Sequence, residues 1–309
     1  MIYSLTIAPC IDYTLNLEDK DIRVGGTNRP IAEGFSLGGK GITVSRMLSN
    51  LRVPNIPVVA VGGSMGNNIR NIIDSEYDNA VYLETEKESR LNVMITGPHQ
   101  DTRFNPDAPK VKDSELQKMF DYLNENLKEG DILILSGSLG QESKDLYAKI
   151  MKECCNPKGV YVFLDTVGEA FTLALEQRPY MIKPNDEELG DLLGKTLTTD
   201  EEIIAGGEEF RAKGPRTVMV TLGSRGAFFF AEDGHVYHCS NAKGKQISAV
   251  GAGDSSIAGF IKGLAEGRPI EETLAYSMAA GGATAFSPLL GSYELWEELL
   301  PQIKVTRIK

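Results

Sequence analysis

The sequence predicts an α/β protein in which a mostly parallel central β-sheet is flanked by helices. Short apolar runs bounded by turn residues alternate with segments whose apolar residues recur at helical spacing, which is typical of strands joined by crossover helices. Gly-rich segments stand directly before two of these helical patterns, and two other segments favour strands without a crossover helix. The expected strands of the central sheet are residues 2–8, 56–61, 132–135, 160–164, 180–182 and 217–221.

Each helical segment between these runs carries an apolar stripe that can pack on the sheet. The clearest stripes are Val44, Met47, Leu48 and Leu51, then Leu116, Met119, Phe120 and Leu123, and then Leu146 with Ile150. The strands therefore have helices available to cover them.

Length and composition narrow the class of protein. The chain has 309 residues, 41% hydrophobic and 24% charged, so we expect one soluble α/β domain spanning residues 1–309. Its formal net charge of −11 argues against nucleic acid or an anionic membrane as a partner. A few local Arg or Lys residues can still bind one phosphate. No apolar run is long enough to cross a bilayer, and four cysteines without metal-ligand spacing indicate a cytoplasmic protein.

Residues 13–35 and 80–105 interrupt the alternation. Both favour strands, and they could pair into one small sheet over the carboxyl ends of the main strands. Such a lid would exclude water from a phosphate donor; two separate surface hairpins are the alternative. Arg29, Arg90 and Arg103 fall in these insertions and are candidate clamps for a substrate phosphate, although a lone surface arginine is usually only solvated.

The most informative segment is the run Gly251, Ala252, Gly253 and Asp254, which precedes an apolar helical stripe beginning at Ile257. Its small residues leave backbone amides open, and a helix start carries about half a positive charge. A carboxylate at such an anion site could take a proton from a hydroxyl while the amides stabilise a transferring phosphoryl group. That is the geometry of a kinase acting on an alcohol. A Gly-rich turn with the aspartate as a helix cap is the alternative.

A second Gly-rich helix start consists of Gly38, Gly39, Lys40 and Gly41, just before the stripe that begins at Val44. The glycines allow close approach to the backbone, and the lysine adds a mobile positive charge. A sugar or its phosphate could bind here. A tight turn with a solvated lysine is the alternative.

Asn185 and Glu188 have the spacing of a capping box, with Asn as the N-cap and Glu at the third helical position. The same two side chains could lie near a hydrated Mg²⁺, which prefers oxygen ligands and retains waters. A cap and a metal contact through water can coexist, so both interpretations stay open.

Polar residues also follow two of the expected strands. Thr221, Gly223, Ser224 and Gly226 form a Gly-rich turn at the carboxyl end of one of them, where ligands bind in open α/β sheets. A plain hairpin turn is the alternative. Asp12, just past the first strand, could accept hydrogen bonds from sugar hydroxyls.

Nearly end to end, these motifs resemble the ribokinase/PfkB family of carbohydrate kinases. Residues 38–41 match its first signature, Asn185 and Glu188 its metal-associated motif, and residues 251–254 its second signature. The similarity is greatest to the branch that contains 1-phosphofructokinase and tagatose-6-phosphate kinase. The segments typical of that branch are residues 2–12, 89–93, 136–139, 165–166, 182–185 and 283–287.

The resemblance implies a ribokinase-like fold, Rossmann-like with a β lid, and ATP-dependent, Mg²⁺-assisted phosphorylation of fructose 1-phosphate or tagatose 6-phosphate. Asp254 would be the general base, residues 251–253 the anion hole, and Lys40 and Arg90 the grip on the resting phosphate. Lids of this kind often pair two subunits, so the resemblance is compatible with a homodimer formed through the lid. The implied substrate-binding residues are Asp12, Arg29, Gly38, Gly39, Lys40, Thr43, Arg90, Asn92 and Ser138. The implied nucleotide-binding residues are Lys183, Asn185, Thr221, Gly223, Ser224, Gly226, Ala280, Gly282 and Ser287, with Mg²⁺ held through water by Asn185 and Glu188.

Some positions depart from the family pattern. Thr43 stands where Asn is usual, Ala249 where Thr is usual, Gln141 where Pro is common and Arg103 where an acidic residue is common. Threonine lacks the paired donor and acceptor of an amide, so one sugar contact differs. These departures motivate two alternatives: a sugar-phosphate-binding regulator of the same fold, or a kinase of a different sugar.

Overall fold

The computed structural model describes residues 1–17, 21–99 and 101–309. Its strands are β1 (Ile2–Thr6), β2 (Cys10–Asn16), β3 (Ala32–Gly38), β4 (Ile56–Val61), β5 (Val81–Glu84), β6 (Arg90–Thr96), β7 (Asp101–Phe104), β8 (Ile132–Ser136), β9 (Tyr161–Asp165), β10 (Met181–Ile182), β11 (Thr217–Thr221), β12 (Ala227–Phe230), β13 (Val236–Cys239) and β14 (Val305–Arg307). Its α-helices are α1 (Lys40–Asn50), α2 (Gly63–Asp74), α3 (Asp113–Asn126), α4 (Leu146–Ile150), α5 (Gly168–Leu175), α6 (Asp186–Leu193), α7 (Asp200–Ala212), α8 (Ala252–Ala265), α9 (Ile270–Ala285) and α10 (Tyr293–Leu299).

A large sheet runs through the centre of the described chain in the order β14-β13-β12-β11-β10-β9-β8-β1-β4-β5. The strands from β11 to β5 pair in parallel, and β12, β13 and β14 continue the sheet antiparallel. Each of the six strands expected for the central sheet is present. The predicted mostly parallel α/β sheet is therefore confirmed.

Both faces of this sheet are covered by helices, because successive side chains of a strand point to opposite faces. In β8, Leu133 and Leu135 pack in a core with α3, α4, α5 and α7. Ile132 and Ile134 pack on the other face with α1, α8, α9 and α10. In the described part of the chain, no helix is long and apolar enough to cross a membrane.

The two insertions pair into one small sheet of order β3-β2-β6-β7, which we call the lid. Its central strands β2 and β6 are parallel, although they lie far apart in the sequence. On one face Ile11, Leu37 and Leu91 pack against α2. The expectation that both insertions share one sheet is confirmed, and the alternative of two separate hairpins is wrong.

The lid boundaries differ from the prediction. β2 begins at Cys10 and β3 ends at Gly38, so the first insertion extends beyond residues 13–35. Residues 81–84 of the second insertion form β5, which pairs with β4 at the edge of the large sheet. This four-residue edge strand buries only Leu83. Its residues therefore have the pattern of a half-exposed lid strand, which is why they were assigned to the lid. Residues 18–20 and 100 of the insertions lie outside the described residues.

Candidate active site

Most of the predicted site residues meet at one edge of the large sheet. The neighbouring strands β11, β10, β9, β8 and β1 are parallel, so their carboxyl ends lie side by side. Ser138 follows β8, Lys183 follows β10 and Thr221 ends β11. The starts of α1 and α8 also reach this edge, since Gly251 and Thr43 are in contact.

Helix α8 begins at an open turn. Gly251 is its N-cap with φ of 78°, a left-handed conformation that favours glycine. Among the described residues no side chain caps this helix start, so the alternative of Asp254 as a cap is wrong. A methyl group at Gly253 would lie 3.0 Å from the Lys183 ammonium. The first-turn amides and this lysine together form a site suited to an anion.

Asp254 and Asp165 form a carboxyl pair at the mouth of this turn. Burial raises the pKa of Asp254 to about 7, and the negative Asp165 beside it adds to the rise, while Lys40 and Lys183 oppose it. The two carboxyls lie close enough for each to shift the pKa of the other. Burial also acts to raise the pKa of Asp165, but Lys183 and Lys40 outweigh it and hold that pKa below its ordinary value. Asp254 therefore keeps its proton to a higher pH than Asp165 does.

Asp165 is a charged residue of this site to which the sequence reasoning assigned no role. Its Oδ1 accepts from Lys40 Nζ at 3.0 Å, and its Oδ2 lies 3.8 Å from Lys183 Nζ. The signal in the sequence is an aspartate at the carboxyl end of a strand whose other core-facing residues are apolar. Segment 165–166 was noted only as typical of a family branch, without a role.

Lys40 reaches the carboxyl pair from the first turn of α1. Burial alone would lower its pKa, but Asp165 and Asp254 raise it, so the side chain stays charged. The N-cap of α1, Gly39, has φ of 125°. A methyl group at Gly41 would lie 2.6 Å from the Leu5 carbonyl oxygen. These glycines let α1 start directly against β1, which directs the lysine to Asp165.

The lid contributes a second polar group of side chains. Asn92 Nδ2 donates to Asp12 Oδ1 at 2.8 Å, and Arg90 Nη2 donates to the Ala8 carbonyl at 2.9 Å. Arg90 Nε and Asn92 Oδ1 are buried without a partner, which favours a ligand that supplies an acceptor and a donor. A methyl at Gly38 would lie 2.3 Å from Asp12 Oδ2, so only glycine leaves that carboxylate room.

Four other residues predicted to bind the substrate are either exposed or hydrogen-bonded to nearby backbone. Thr43 donates its hydroxyl to the Gly39 carbonyl at 3.1 Å, which ties the hydroxyl to the helix. Ser138 is exposed in the turn after β8 and accepts from the Gly140 amide. Arg29 is exposed before β3, and Arg103 is exposed on the edge strand β7.

The turn after β11 is both a hairpin and a strand end, so the two alternatives stated for it coincide. Gly223 and Ser224 form one helical turn there, and Gly226 has φ of 94°. Thr221 is bridged to Asn185. Arg225, which the sequence reasoning did not assign, donates to Asp186 and Asp200 at 2.8 and 2.7 Å. The turn is thereby joined to the starts of α6 and α7.

The three predicted nucleotide residues in and just after α9 differ in their exposure. Ala280 is fully buried and packs against Gly259 of α8, so its prediction as a nucleotide contact is wrong; its small side chain lets the helices approach closely. Gly282 and Ser287 are partly exposed, and Ser287 donates its hydroxyl to the Ala283 carbonyl.

The residues near β10 fit a hydrated divalent cation. Asn185 and Glu188 form a complete capping box, with bonds of 2.7 and 2.9 Å. Glu188 and Asp165 also line a cavity of about 250 Å³, and Asp165 Oδ2 is buried without a hydrogen-bond partner. Within the described chain no three His, Cys, Asp or Glu side chains cluster as direct ligands. Contact through water is the arrangement that these oxygens suit.

Comparisons with known proteins agree with this geometry. A family model described as pfkB family carbohydrate kinase matches residues 1–294. A 1-phosphofructokinase of Bacillus subtilis is 37% identical over 310 residues, covering 100% of each chain. A tagatose-6-phosphate kinase of Staphylococcus epidermidis is 29% identical and also covers 100% of each chain. The tetrameric inhibited form of phosphofructokinase-2 from Escherichia coli matches with a TM-score of 0.86 and 26% identity, covering 97% of this chain and 98% of that one.

The chain therefore belongs to the pfkB family of carbohydrate kinases. The resemblance and its branch are confirmed, and so is the predicted enzyme class, an ATP-dependent sugar-phosphate kinase. The comparisons do not assign the individual site residues, whose roles are proposed below.

Proposed function

We propose that this kinase phosphorylates a ketohexose phosphate to the bisphosphate with ATP, and that fructose 1-phosphate is its preferred substrate. The observation that carries the proposal is the placement of the Asp254 carboxyl at the uncapped start of α8, between Lys40 and Lys183. A 1-phosphofructokinase at 37% identity supports fructose 1-phosphate. Tagatose 6-phosphate is the second candidate, because a relative named for it is 29% identical.

In the proposed reaction, ionised Asp254 accepts the proton of a substrate hydroxyl. The hydroxyl oxygen forms a bond to the γ-phosphorus of ATP as the bond to the ADP oxygen breaks. The open amides at Gly253 and the Lys183 ammonium near them stabilise the charge on the transferring group. Asp165 keeps Lys40 and Lys183 in place through its two carboxylate oxygens.

We propose that Lys40 acts on the transferring phosphoryl group. The resemblance implied a grip on the resting phosphate, but the lysine contacts Asp165 beside the proposed base. Arg90, with its unpartnered Nε, then binds the resting phosphate, assisted by the exposed Arg29. Asp12 and Asn92 bind the sugar hydroxyls, and Gly38 and Gly39 let the sugar approach the backbone.

On the nucleotide side, the turn at Thr221, Gly223, Ser224 and Gly226 borders ATP, with Lys183 toward its phosphates. Gly282 and Ser287 lie on the opposite wall. Mg²⁺ would be held through water by Asn185 and Glu188, near the open oxygen of Asp165. When bound, the cation neutralises phosphate charge.

A substrate panel tests the proposal. ADP release would be measured with fructose 1-phosphate, tagatose 1-phosphate, fructose 6-phosphate and tagatose 6-phosphate, so that phosphate position and C4 configuration vary separately. We expect the highest kcat/KM with fructose 1-phosphate, by at least about tenfold, a difference that one lost polar contact can produce. A preference for tagatose 6-phosphate would favour the second candidate. Binding without ADP release from any sugar would favour the regulator.

The role of Asp254 is tested by Asp254→Asn. We expect kcat to fall by at least about a hundredfold, because the amide cannot accept the proton. The Kd for ATP, measured by calorimetry, should change little, since the helix start remains. Native turnover in this variant would show that another group is the base.

The pH dependence follows from the carboxyl pair. Asp254 must be ionised to act, so kcat/KM should rise with pH through about 7 and then level off. In Asp165→Asn the neighbouring negative charge is absent, the pKa of Asp254 falls, and the rise should move down by on the order of one pH unit. Both profiles would be recorded at saturating Mg²⁺, with Asp233→Asn at an exposed turn as control. An unmoved rise in Asp165→Asn would contradict the pairing.

We further propose a homodimer formed through the lid. Register places Phe35, Tyr13, Val93 and Phe104 in one row across its four strands, and Phe35 and Phe104 are 66% and 57% exposed. Such an apolar row on a sheet face is typical of an interface. An oligomeric relative supports association.

All four cysteines are free and buried, which supports a cytoplasmic location.

Light scattering after gel filtration tests the dimer. We expect twice the mass of the 33.7 kDa chain for the native protein and a shift toward monomer in Phe35→Asp with Phe104→Asp, because two buried charges would oppose association. Ile308→Asp, at another exposed apolar residue, should leave the mass unchanged. A native monomer would contradict the proposal.

A further inference from the structure

We infer that the Cys10 thiol is a positioning group that separates the Arg90 guanidinium from the Asp12 carboxylate and so keeps both available to the sugar phosphate. The inference rests on the proposed function for its kinetic consequence. Its structural consequence can be measured without any substrate.

The register of the lid brings these side chains together. Cys10 and Asp12 are two residues apart on β2, so they point to the same face. On the parallel neighbour β6, Arg90 stands beside Cys10 and Asn92 beside Asp12. On the other side, Gly38 of β3 is the partner of Cys10. The thiol is therefore central in a polar patch.

The thiol lies beside both charged groups. Its Sγ donates to Asp12 Oδ1 at 3.4 Å, and Arg90, the lateral partner of Cys10 on β6, is near enough for its positive charge to lower the pKa of the thiol. A methyl at Gly38 would lie 2.5 Å from the sulfur and 2.3 Å from Asp12 Oδ2. The sulfur and the carboxylate thus turn into the space that glycine leaves open.

The sulfur stays a neutral thiol in this position. Burial raises the pKa of Cys10 to about 12, and the Asp12 charge adds to the rise, while Arg90 opposes it. A neutral thiol can donate to a carboxylate and accept from a guanidinium at once. It is also inert toward oxidants compared with a thiolate, so its role is positional.

Arg90 and Asp12 are both neighbours of Cys10, yet they form no ion pair with each other in the described structure. Arg90 instead donates to the Ala8 carbonyl, and Asp12 accepts from Asn92. Arg90 Nε and Asn92 Oδ1 remain buried and unpartnered. These open groups point to a ligand with both a phosphate and hydroxyls, which a direct Arg90–Asp12 pair would exclude.

Three substitutions separate the two properties of the thiol. Cys10→Ala removes both its volume and its polarity, Cys10→Ser keeps a polar bridge, and Cys10→Val keeps the volume alone. Cys239→Ala, at a buried cysteine of β13, is the matched control for the loss of buried sulfur. Thermal unfolding of each variant reports whether it is folded.

We expect Cys10→Ala to raise KM for the sugar phosphate by about tenfold, the effect of one lost polar contact. Its kcat and its KM for ATP should change by less than about threefold, because the carboxyl pair is untouched. Cys10→Ser should restore most of the affinity, and Cys239→Ala should leave all three constants unchanged. A merely structural role would lower stability without this separation of KM from kcat.

Crystal structures of Cys10→Ala and Cys10→Val, without substrate, test directly whether the Cys10 thiol keeps Arg90 apart from Asp12. We expect an Arg90–Asp12 ion pair within 4 Å in the alanine variant and none in the valine variant. An unmoved guanidinium in a folded Cys10→Ala protein would overturn the inference, even if fructose 1-phosphate proved to be the wrong substrate. An unchanged KM with an active native enzyme would overturn it as well. If the alanine variant does not fold, an ion pair between Arg90 and Asp12 in the valine variant would decide against the thiol.

Discussion

The mutual repulsion of the carboxyl groups of Asp165 and Asp254 sets the electrostatics of this site. Two neighbouring carboxylates in a poorly solvated site cannot both ionise without a cost, and two lysines from different elements lower that cost unequally. Asp165 contacts both ammonium groups and stays ionised, whereas Asp254 keeps the proton until the pH reaches about 7. Without either lysine, the pKa values of the two carboxyls would change, and the pair would carry a different charge.

The fold supplies this arrangement from four places along the chain. Asp165 ends β9 and Lys183 follows β10, so their separation is fixed by the parallel sheet. Asp254 and Lys40 come from helix starts that glycines allow to approach closely. The close packing of α8 on α9, where Ala280 meets Gly259, holds the open helix start in place. The carboxyl pair and its two lysines are thus held by closely packed elements, and β3 of the lid leads directly into α1.

Local patterns predicted the elements of this site, while the pairings between distant elements were harder to predict. Both Gly-rich helix starts and the capping box at Asn185 follow from short-range chemistry, and the structure shows each of them. The pairing of the insertions also followed, because both favour strands without a crossover helix. Asp165 was missed because an aspartate at the carboxyl end of an apolar strand is only a weak signal, and its partners lie far away in the sequence. The contact between Lys40 and Asp165 joins residues 125 positions apart, and no spacing rule reaches that far.

The parallel pairing of β2 with β6 bears on how the chain folds. Asp12 and Asn92, which hydrogen-bond across that pair, are separated by 80 positions, and bringing such distant segments together is slow. β2 follows β1 and β6 follows β5, so the large sheet holds the start of each lid strand close to its partner. The pairing of the lid strands therefore depends on the large sheet, and a change that loosened β1 or β5 there would also weaken the lid.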